Sequence, residues 1–181
     1  MIITISGFHG TGKSTIARKL AEELKYGYIA AGQLFRQMAK DSQMNLEEFS
    51  EYIETHPEID QEIDQKTSQE AKKGNMVLDG LLVAWKTKDI SDIHILLTAA
   101  EEIRVKRIAQ REKRPFKEVK KETLYREKSE LDRFKKIYNI DLNDYSIYDV
   151  VLNTGLWTEE SVIRIIITVI KEHMKFIQQE V

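Results

Sequence analysis

The stretch Gly7-Phe8-His9-Gly10-Thr11-Gly12-Lys13-Ser14 decides the fold, because it matches G-x-x-x-x-G-K-[ST] at every fixed position. It lies between an apolar run, Ile2–Ile5, and a helical pattern over Lys13–Leu24. In the order strand, glycine-rich turn and helix, backbone N–H groups can surround a phosphate while the positive end of the helix points at the same anion. The stretch therefore predicts a site for a nucleoside triphosphate.

Each part of this phosphate loop has an expected task. Glycine at three positions allows close backbone approach and positive φ values. Lys13 is expected to reach the β- and γ-phosphates, and Ser14 to give its hydroxyl oxygen to Mg²⁺. His9 is assigned no catalytic role, since any residue is permitted there. The expected triphosphate-binding residues are Gly7, Phe8, His9, Gly10, Thr11, Gly12, Lys13, Ser14 and Thr15.

Composition limits the remaining possibilities. With 181 residues, 41% of them hydrophobic, the chain fits one domain with a sizeable core, and a net charge of −2 does not favour binding to a nucleic acid polymer. Cysteine is absent and the four histidines are scattered, so a thiolate or zinc site is not expected. No signal segment precedes the loop, and the longest apolar run, Ile165–Ile170, is too short for a bilayer, so a cytoplasmic protein without a membrane partner is expected. Trp85 and Trp157 are interpreted as packing residues rather than platforms for a base.

Apolar runs alternate with helical patterns along the whole chain. The strands are predicted at Ile2–Ser6, Tyr28–Ala31, Met76–Leu78, Ile93–Leu97 and Val150–Leu152. The helices are predicted at Lys13–Leu24, Gln33–Lys40, Asn45–Glu54, Pro57–Lys73, Glu101–Glu112, Pro115–Tyr138 and Thr158–Gln178. Because most of the strand runs are continuous in apolarity, the pattern predicts an α/β fold with a buried, five-stranded parallel sheet between layers of helices.

Two connections are much longer than a crossover needs. About forty residues separate the second and third strands and about fifty separate the fourth and fifth, whereas ~10–12 suffice. We expect a substrate-clasping lobe around 37–73 and a mobile lid with its following helix around 110–137, because phosphate transfer requires water to be excluded. The alternative is that both segments only cover the faces of the sheet.

Candidate residues for an acceptor follow the second and third strands. Asp79 ends the third apolar run, where a carboxylate faces the ligand crevice of an open α/β sheet. It would hold Mg²⁺ through water or accept a hydrogen bond from the acceptor, or it only caps the turn with Gly80. Gly32 permits a sharp turn after the second strand, and Arg36, one helical turn later, would grip a phosphate with two hydrogen bonds or lie on a solvated surface.

A charged face on the predicted helix Pro115–Tyr138 supplies further candidates. Arg126, Glu130 and Arg133 are spaced four and three apart and so share one side of that helix. The two arginines would bind phosphates and the carboxylate would hydrogen-bond a base or sugar. The alternative is a solvated polar face in which Arg126 and Glu130 form an exposed ion pair worth only ~0.3–0.5 kcal/mol. Arg107 and Arg111 lie upstream in the same long connection between the fourth and fifth strands.

The chain resembles the small nucleoside monophosphate kinases, and most closely the archaeal-type cytidylate kinases. The phosphate loop is shared by many unrelated proteins, whereas the R-E-x-S-E-x-x-R and S-I-Y-D-V-V-L-N-T blocks are far more specific to the family. The blocks that carry the resemblance cover nearly the full length: I-S-G-F-H-G-T-G-K-S-T-I-A (5–17), A-A-G-Q-L-F-R (30–36), L-E-E-F-S-E-Y (46–52), P-E-I-D-Q-E-I-D (57–64), G-N-M-V-L-D-G (74–80), R-I-A-Q-R-E (107–112), R-E-K-S-E-L-D-R-F (126–134) and D-L-N-D-Y-S-I-Y-D-V-V-L-N-T (141–154). The resemblance implies a P-loop NTPase three-layer fold with a helical NMP-binding insertion and a lid.

The resemblance also implies the reaction ATP + CMP → ADP + CDP, with dCMP as a second substrate and with ATP and Mg²⁺ as cofactors. Arg36 would bind the acceptor phosphate, and Glu130 would lie near the cytosine or the sugar. The implied catalytic residues are Lys13, Arg126, Arg133 and Asp79. The implied acceptor-binding residues are Gly32, Arg36, Asp79, Gly80, Arg126, Glu130 and Arg133.

The departures from the family pattern fall on the acceptor side. Related sequences usually carry arginine where this chain has Leu81, and Ala30-Ala31 and Gln33 also differ from the usual types. Two alternatives therefore stay open: a kinase for another nucleotide or small metabolite, and an ATP-binding regulator with weak catalysis. A GTPase is disfavoured, since D-x-x-G fails at Asp79 and N-K-x-D is absent. A monomer or small homo-oligomer is expected.

Overall fold

A computed structural model describes residues 1–179, and its centre is a parallel sheet of five strands. The strands are β1 (Ile2–Ser6), β2 (Gly27–Ala30), β3 (Met76–Asp79), β4 (Ile93–Thr98) and β5 (Val150–Asn153). Their order across the sheet is β2-β3-β1-β4-β5, and every neighbouring pair is parallel. The predicted α/β architecture is confirmed.

Helices cover both faces of this sheet. They are α1 (Lys13–Leu24), α2 (Ala31–Asp41), α3 (Leu46–Glu54), α4 (Pro57–Ala71), α5 (Val83–Lys86), α6 (Glu101–Glu112), α7 (Phe116–Tyr138) and α8 (Glu159–Gln179). Buried residues of α1 and α8 pack with the isoleucines of β1 and β4 to form the main core. On the opposite face, Ala71 of α4 and Val83 of α5 pack against Met76 and Leu78. Because both faces are covered, strands β1, β3 and β4 are almost entirely buried, which explains their continuous apolarity.

Most element boundaries agree with the sequence prediction to within one residue, and three features differ by more. Ala31, predicted to end a strand, is the first residue of α2, which therefore begins two residues earlier than expected. The short helix α5 was not predicted, because its four residues carry no helical period. The helix expected to run to Lys73 ends at Ala71, and the chain then turns through Gly74 at φ 74° and Asn75 at φ 49°. Positive φ at both residues is the left-handed conformation that commonly ends a helix.

Strand register brings the predicted site segments to one edge of the sheet. Asp79 pairs with Ile5 of β1 on one side and with Ala30 of β2 on the other. The segments after these three strands therefore leave the sheet at the same level, at its carboxyl edge. This common exit places the phosphate loop, the start of α2 and Gly80 beside one another.

The first long connection forms a helical lobe with its own small core. Ala39, Phe49 and Ile53 are buried there, with the rings of Phe35 and Phe49 edge to face at 5.1 Å. Helix α7 reaches this lobe from the other connection, since Ser129 donates to Glu54 at 2.7 Å. No helix in residues 1–179 combines the length and apolarity that a bilayer span needs.

Candidate functional site

The phosphate loop has the backbone geometry of an anion site. Gly10 and Gly12 have φ values of 78° and 91°, which an L side chain rarely adopts. Helix α1 begins immediately afterwards at Lys13, and within the described part of the chain no side chain caps its amino terminus. The first N–H groups of α1 are therefore free to bind an anion, and the helix dipole favours negative charge at the same place.

Four cations face the space in front of this loop. Lys13, Arg36, Arg111 and Arg126 line one cleft together with the loop residues His9 and Gly10. Within residues 1–179, Lys13, Arg36 and Arg126 form no ion pair shorter than 4.0 Å, and the Nε atom of Arg126 is buried without a hydrogen-bond partner. Such a group of like charges is costly unless an anion joins it.

The pKa values of two of these cations report the same crowding. Burial lowers the pKa of Lys13, while the carboxylates of Asp79 and Glu130 act against that shift. Burial also lowers the pKa of Arg36, and the neighbouring charges of Arg111 and Arg126 lower it further. Both effects favour the binding of a negatively charged ligand, because its charge would offset the free-energy cost of the buried positive charges.

Glu130 belongs to the loop side of the site rather than to an exposed ion pair. Its Oε2 lies 2.9 Å from Nε2 of His9, the phosphate-loop residue to which no role was assigned. Burial raises the pKa of Glu130, but His9, Arg126 and Arg133 outweigh it and bring the pKa to about 2. The carboxylate thus stays ionised and His9 Nε2 donates to it, so this bond ties α7 to the phosphate loop.

A second cleft continues from the first toward the helical lobe. Its cavity volume is about 110 Å³. Its lining includes the predicted residues Gly32, Arg36, Asp79, Gly80, Arg126, Glu130 and Arg133, together with Phe35, Asp60, Ile63, Asp64, Leu81 and Phe134. Every acceptor-side residue singled out in the sequence therefore lies around one cavity.

Arg133 lies at the far end of that cleft and already has one partner. Its Nε donates to Oδ2 of Asp60 at 2.7 Å, and both side chains are less than one tenth exposed. One terminal nitrogen of Arg133 is buried and has no hydrogen-bond partner among the residues that the structure describes. Burial raises the pKa of Asp60, and the charge of Arg133 opposes that shift. The pair therefore offers a carboxylate next to an unused N–H donor.

Asp79 is held in place by a residue that sequence reasoning missed. The hydroxyl of Tyr28, on β2, donates to Oδ2 of Asp79 at 3.0 Å. Asp79 is 2% exposed, and burial together with this carboxylate raises the pKa of Tyr28 to about 12. Tyr28 was classed only as part of an apolar strand. Asp60 was also missed, although it sits in the quoted block 57–64 and shares a helical face with buried Ile63.

The opposite side of the loop opens into a third cleft. It is lined by residues 10–16 of the loop and α1, by Arg107 and Arg111, and by Thr154 and Trp157. Arg107 donates to Thr154 O at 2.8 Å, which anchors α6 to the segment after β5. Trp157 is 50% exposed, so its interpretation as a packing residue is wrong. Trp85, in contrast, packs beside the cluster of Leu82, Phe134 and Leu142.

Comparison with known proteins bears directly on this arrangement. A family model described as "Cytidylate kinase-like family" matches residues 2–156, most of the chain. The chain belongs to the cytidylate kinase-like family. The match begins at β1 and ends just beyond Thr154, so it takes in the phosphate loop and the whole lining of the first two clefts.

Curated relatives agree with this membership. The cytidylate kinase of Methanocaldococcus jannaschii is 47% identical over 169 residues, which cover 92% of this chain and 95% of that protein. The cytidylate kinase of Staphylothermus marinus is 43% identical over 175 residues, covering 97% and 99%. That of Pyrococcus horikoshii is 42% identical over 166 residues, covering 92% and 86%. The resemblance stated from sequence motifs is confirmed.

Solved structures share the fold. An uncharacterized protein from Eubacterium ventriosum superposes with a TM-score of 0.72 at 20% identity, covering 94% of this chain and 98% of its own. The shikimate kinase of Aquifex aeolicus gives a TM-score of 0.57 at 18% identity, covering 96% and 98%. At these identities the likeness concerns the fold alone, which is the three-layer α/β fold of P-loop kinases.

Proposed function

We propose that this kinase transfers the γ-phosphate of ATP to CMP, and to dCMP as a second substrate, giving ADP and the nucleoside diphosphate. The observation that carries the proposal is a group of three cations at the junction of two clefts, beside the phosphate loop. Lys13, Arg36 and Arg126 line both clefts and have no ion-pair partner within residues 1–179. A site for one nucleotide needs only the loop. A second cleft that starts at the same cations and ends in a carboxylate–guanidinium pair supports a second nucleotide.

On the donor side, the loop amides and Lys13 would bind the β- and γ-phosphates of ATP. The adenine would extend into the third cleft, between Arg107 and the half-exposed ring of Trp157. The groups that bind the triphosphate would be those of the loop, residues 7–15.

Mg²⁺ fits this donor site as a partner of the triphosphate. Within residues 1–179 there is no cluster of three His, Asp or Glu side chains that would hold the ion alone. That is the expected situation for Mg²⁺, which is usually bound by one or two protein groups together with substrate phosphates and water. Ser14 would supply the hydroxyl ligand and Asp79 would act through water. When bound, the ion neutralises phosphate charge.

On the acceptor side, Arg36 and Arg126 would bind the monophosphate. Their positions beside Lys13 put the acceptor phosphate next to the donor loop, which is the positioning that phosphoryl transfer requires. Lys13, Arg126 and Arg111 would stabilise charge on the transferred group. Asp79, held by Tyr28, would face the acceptor phosphate from the strand end.

The far end of the cleft would select the base. Cytosine presents an amino donor beside a ring-nitrogen acceptor, and Asp60 with the unused N–H of Arg133 offers the complementary acceptor and donor. Uracil carries the reversed pattern at these two positions, so it would leave both protein groups unpaired, which is the costly outcome. This assignment moves Arg133 from the phosphates to the base and leaves Glu130 nearer the sugar and the loop.

The helical connections would act as the moving parts. The lobe around 37–73 would clasp CMP, and the lid around 110–137 would close over the phosphates, because both contribute side chains to one cleft. With ATP and CMP as small dissolved substrates, we place the reaction in the cytoplasm, in a monomer or small homo-oligomer, without a membrane or nucleic acid polymer as partner.

The test is base discrimination in the variant Asp60→Asn. We expect the ratio of kcat/KM for CMP over UMP to fall by roughly tenfold or more, because an amide can donate to the uracil oxygen as well as accept from cytosine. Asp64→Asn, one turn along the same lining, is the matched control and should alter both substrates alike. An unchanged CMP/UMP ratio in Asp60→Asn would contradict the base assignment.

A further inference from the structure

The outer face of the phosphate loop rests on a buried ion pair that the proposed reaction does not use. Arg104 of α6 and Glu127 of α7 are 7% and 6% exposed. Both terminal nitrogens of Arg104 donate to the Glu127 carboxylate, NH1 to Oε1 and NH2 to Oε2, the latter at 3.1 Å. NH1 also donates to the carbonyl oxygen of His9 at 2.8 Å. One guanidinium therefore joins the lid helix to the loop.

This contact determines which way a loop amide points. In a planar trans peptide the carbonyl and the following N–H point in opposite directions. When Arg104 holds the His9 carbonyl outward, the N–H of Gly10 is turned toward the phosphate side. The carbonyl of Thr11 is held in the same manner, because Thr154 Oγ1 donates to its oxygen at 2.7 Å.

Arg104 fits closely against the loop in a second way. Its backbone lies against Gly10, so that a Cβ added to that glycine would come within 2.8 Å of the Arg104 carbonyl carbon. Its guanidinium also lies 5.6 Å from the centre of the Phe8 ring. Three consecutive loop residues, 8 to 10, thus contact this one arginine, and Glu127 balances the charge that it brings into the interior.

We propose that Arg104 and Glu127 are positioning residues for ATP, which preorganise the loop amides and couple the lid helix to the donor site. The inference rests on the proposed function of the loop as the ATP site. It assigns neither residue a contact with substrate. Because Glu127 lies beside Arg126 on α7, movement of this helix would be transmitted to the loop through the pair.

The experiment measures ATP binding by calorimetry and steady-state kinetics in the full chain. Glu127→Gln should raise the Kd for ATP by roughly tenfold, in line with the loss of a hydrogen bond to a charged group, and should leave the KM for CMP within about twofold. Amide exchange of residues 8–12 should also become faster. Glu101 of α6 and Lys120 of α7, an exposed pair at 2.7 Å between the same two helices, give the matched control: Glu101→Gln should leave ATP binding unchanged.

A double variant separates positioning from stability. Replacing both partners with apolar residues, Arg104→Met with Glu127→Leu, removes the buried charges and should restore much of the thermal stability that a single substitution loses. It cannot restore the bond to His9, so ATP affinity should stay weak. Wild-type ATP affinity in Glu127→Gln, or in the double variant, would overturn the inference. A wild-type chain that does not bind ATP would instead refute the proposed function itself.

Discussion

Substitution of Gly10 by alanine tests how the phosphate loop is built. Gly10, Gly12 and Gly74 all have positive φ, at 78°, 91° and 74°. They differ in the space around them. A Cβ at Gly10 would lie within 2.9 Å of both the Cα and the carbonyl carbon of Arg104, whereas nothing lies within 4 Å of a Cβ at Gly12 or Gly74. Because the obstacle is the backbone of α6 at the buried residue Arg104 and not a flexible side chain, it cannot rotate away.

The expected losses of stability follow from two contributions: the backbone strain at positive φ and, for Gly10 alone, the clash with the Arg104 backbone. An alanine at left-handed φ costs about 1–2 kcal/mol, and the lower entropy of the unfolded chain returns about 0.4–1 kcal/mol. We therefore expect Gly12→Ala and Gly74→Ala each to lower the free energy of unfolding by about 1 kcal/mol. Overpacking against a rigid neighbour adds about 1–3 kcal/mol, so Gly10→Ala should lose about 2–4 kcal/mol.

The assay is urea unfolding of the ligand-free protein, followed by circular dichroism, for wild type and the three variants. Gly74 lies at the end of α4, away from the loop, so it measures the backbone strain alone. An equal loss of stability in Gly10→Ala and Gly74→Ala would show that Arg104 does not lie against the loop as described, and would refute the packing argument.

Three further results are expected. Arg36→Ala should raise the KM for CMP at least about tenfold with little change in the KM for ATP, and an unchanged KM for CMP would remove Arg36 from the acceptor site. Burial lowers the pKa of His94 below its ordinary value of 6.5, so on acidification the unfolded state takes up a proton at this position before the folded state does. The free energy of unfolding should therefore fall as pH drops below about 6.5. Thermal unfolding at pH 7.5 and 5.5 should show a smaller fall in His94→Gln than in wild type. The lowered pKa of Glu130, about 2, means that its contribution is lost as pH falls from 4.5 toward 2, and denaturation across that range should be flatter in Glu130→Gln.

Local signals in the sequence were enough for the sheet. Short apolar runs located all five strands, and glycine spacing located the loop. The runs of β1, β3 and β4 are continuous because those strands are buried on both faces, whereas the edge strands β2 and β5 are partly exposed. The sequence could not show that Ala31 begins a helix rather than ends a strand, since alanine occurs in both. Its position depends on where the chain turns out of the sheet after Ala30. Helix α5 is four residues long and has no period to detect.

Partners across the site were beyond the reach of spacing arguments. Arg126, Glu130 and Arg133 were grouped correctly because helix periodicity is local. Their contacts with other elements were not, since His9–Glu130 joins residues 121 positions apart and Asp60–Arg133 joins residues 73 apart. No pattern in a single sequence marks such pairs.

The central claim is that the phosphate loop and the cation cluster serve two nucleotides at once. The most direct measurement is transfer of labelled γ-phosphate from ATP, with CMP, dCMP, UMP and AMP offered separately and Lys13→Ala as the inactive control. The account predicts stoichiometric CDP and ADP from CMP, slower reaction with UMP, and no transfer by Lys13→Ala. Binding of ATP without labelled CDP, or faster phosphorylation of another acceptor than of CMP, would contradict it.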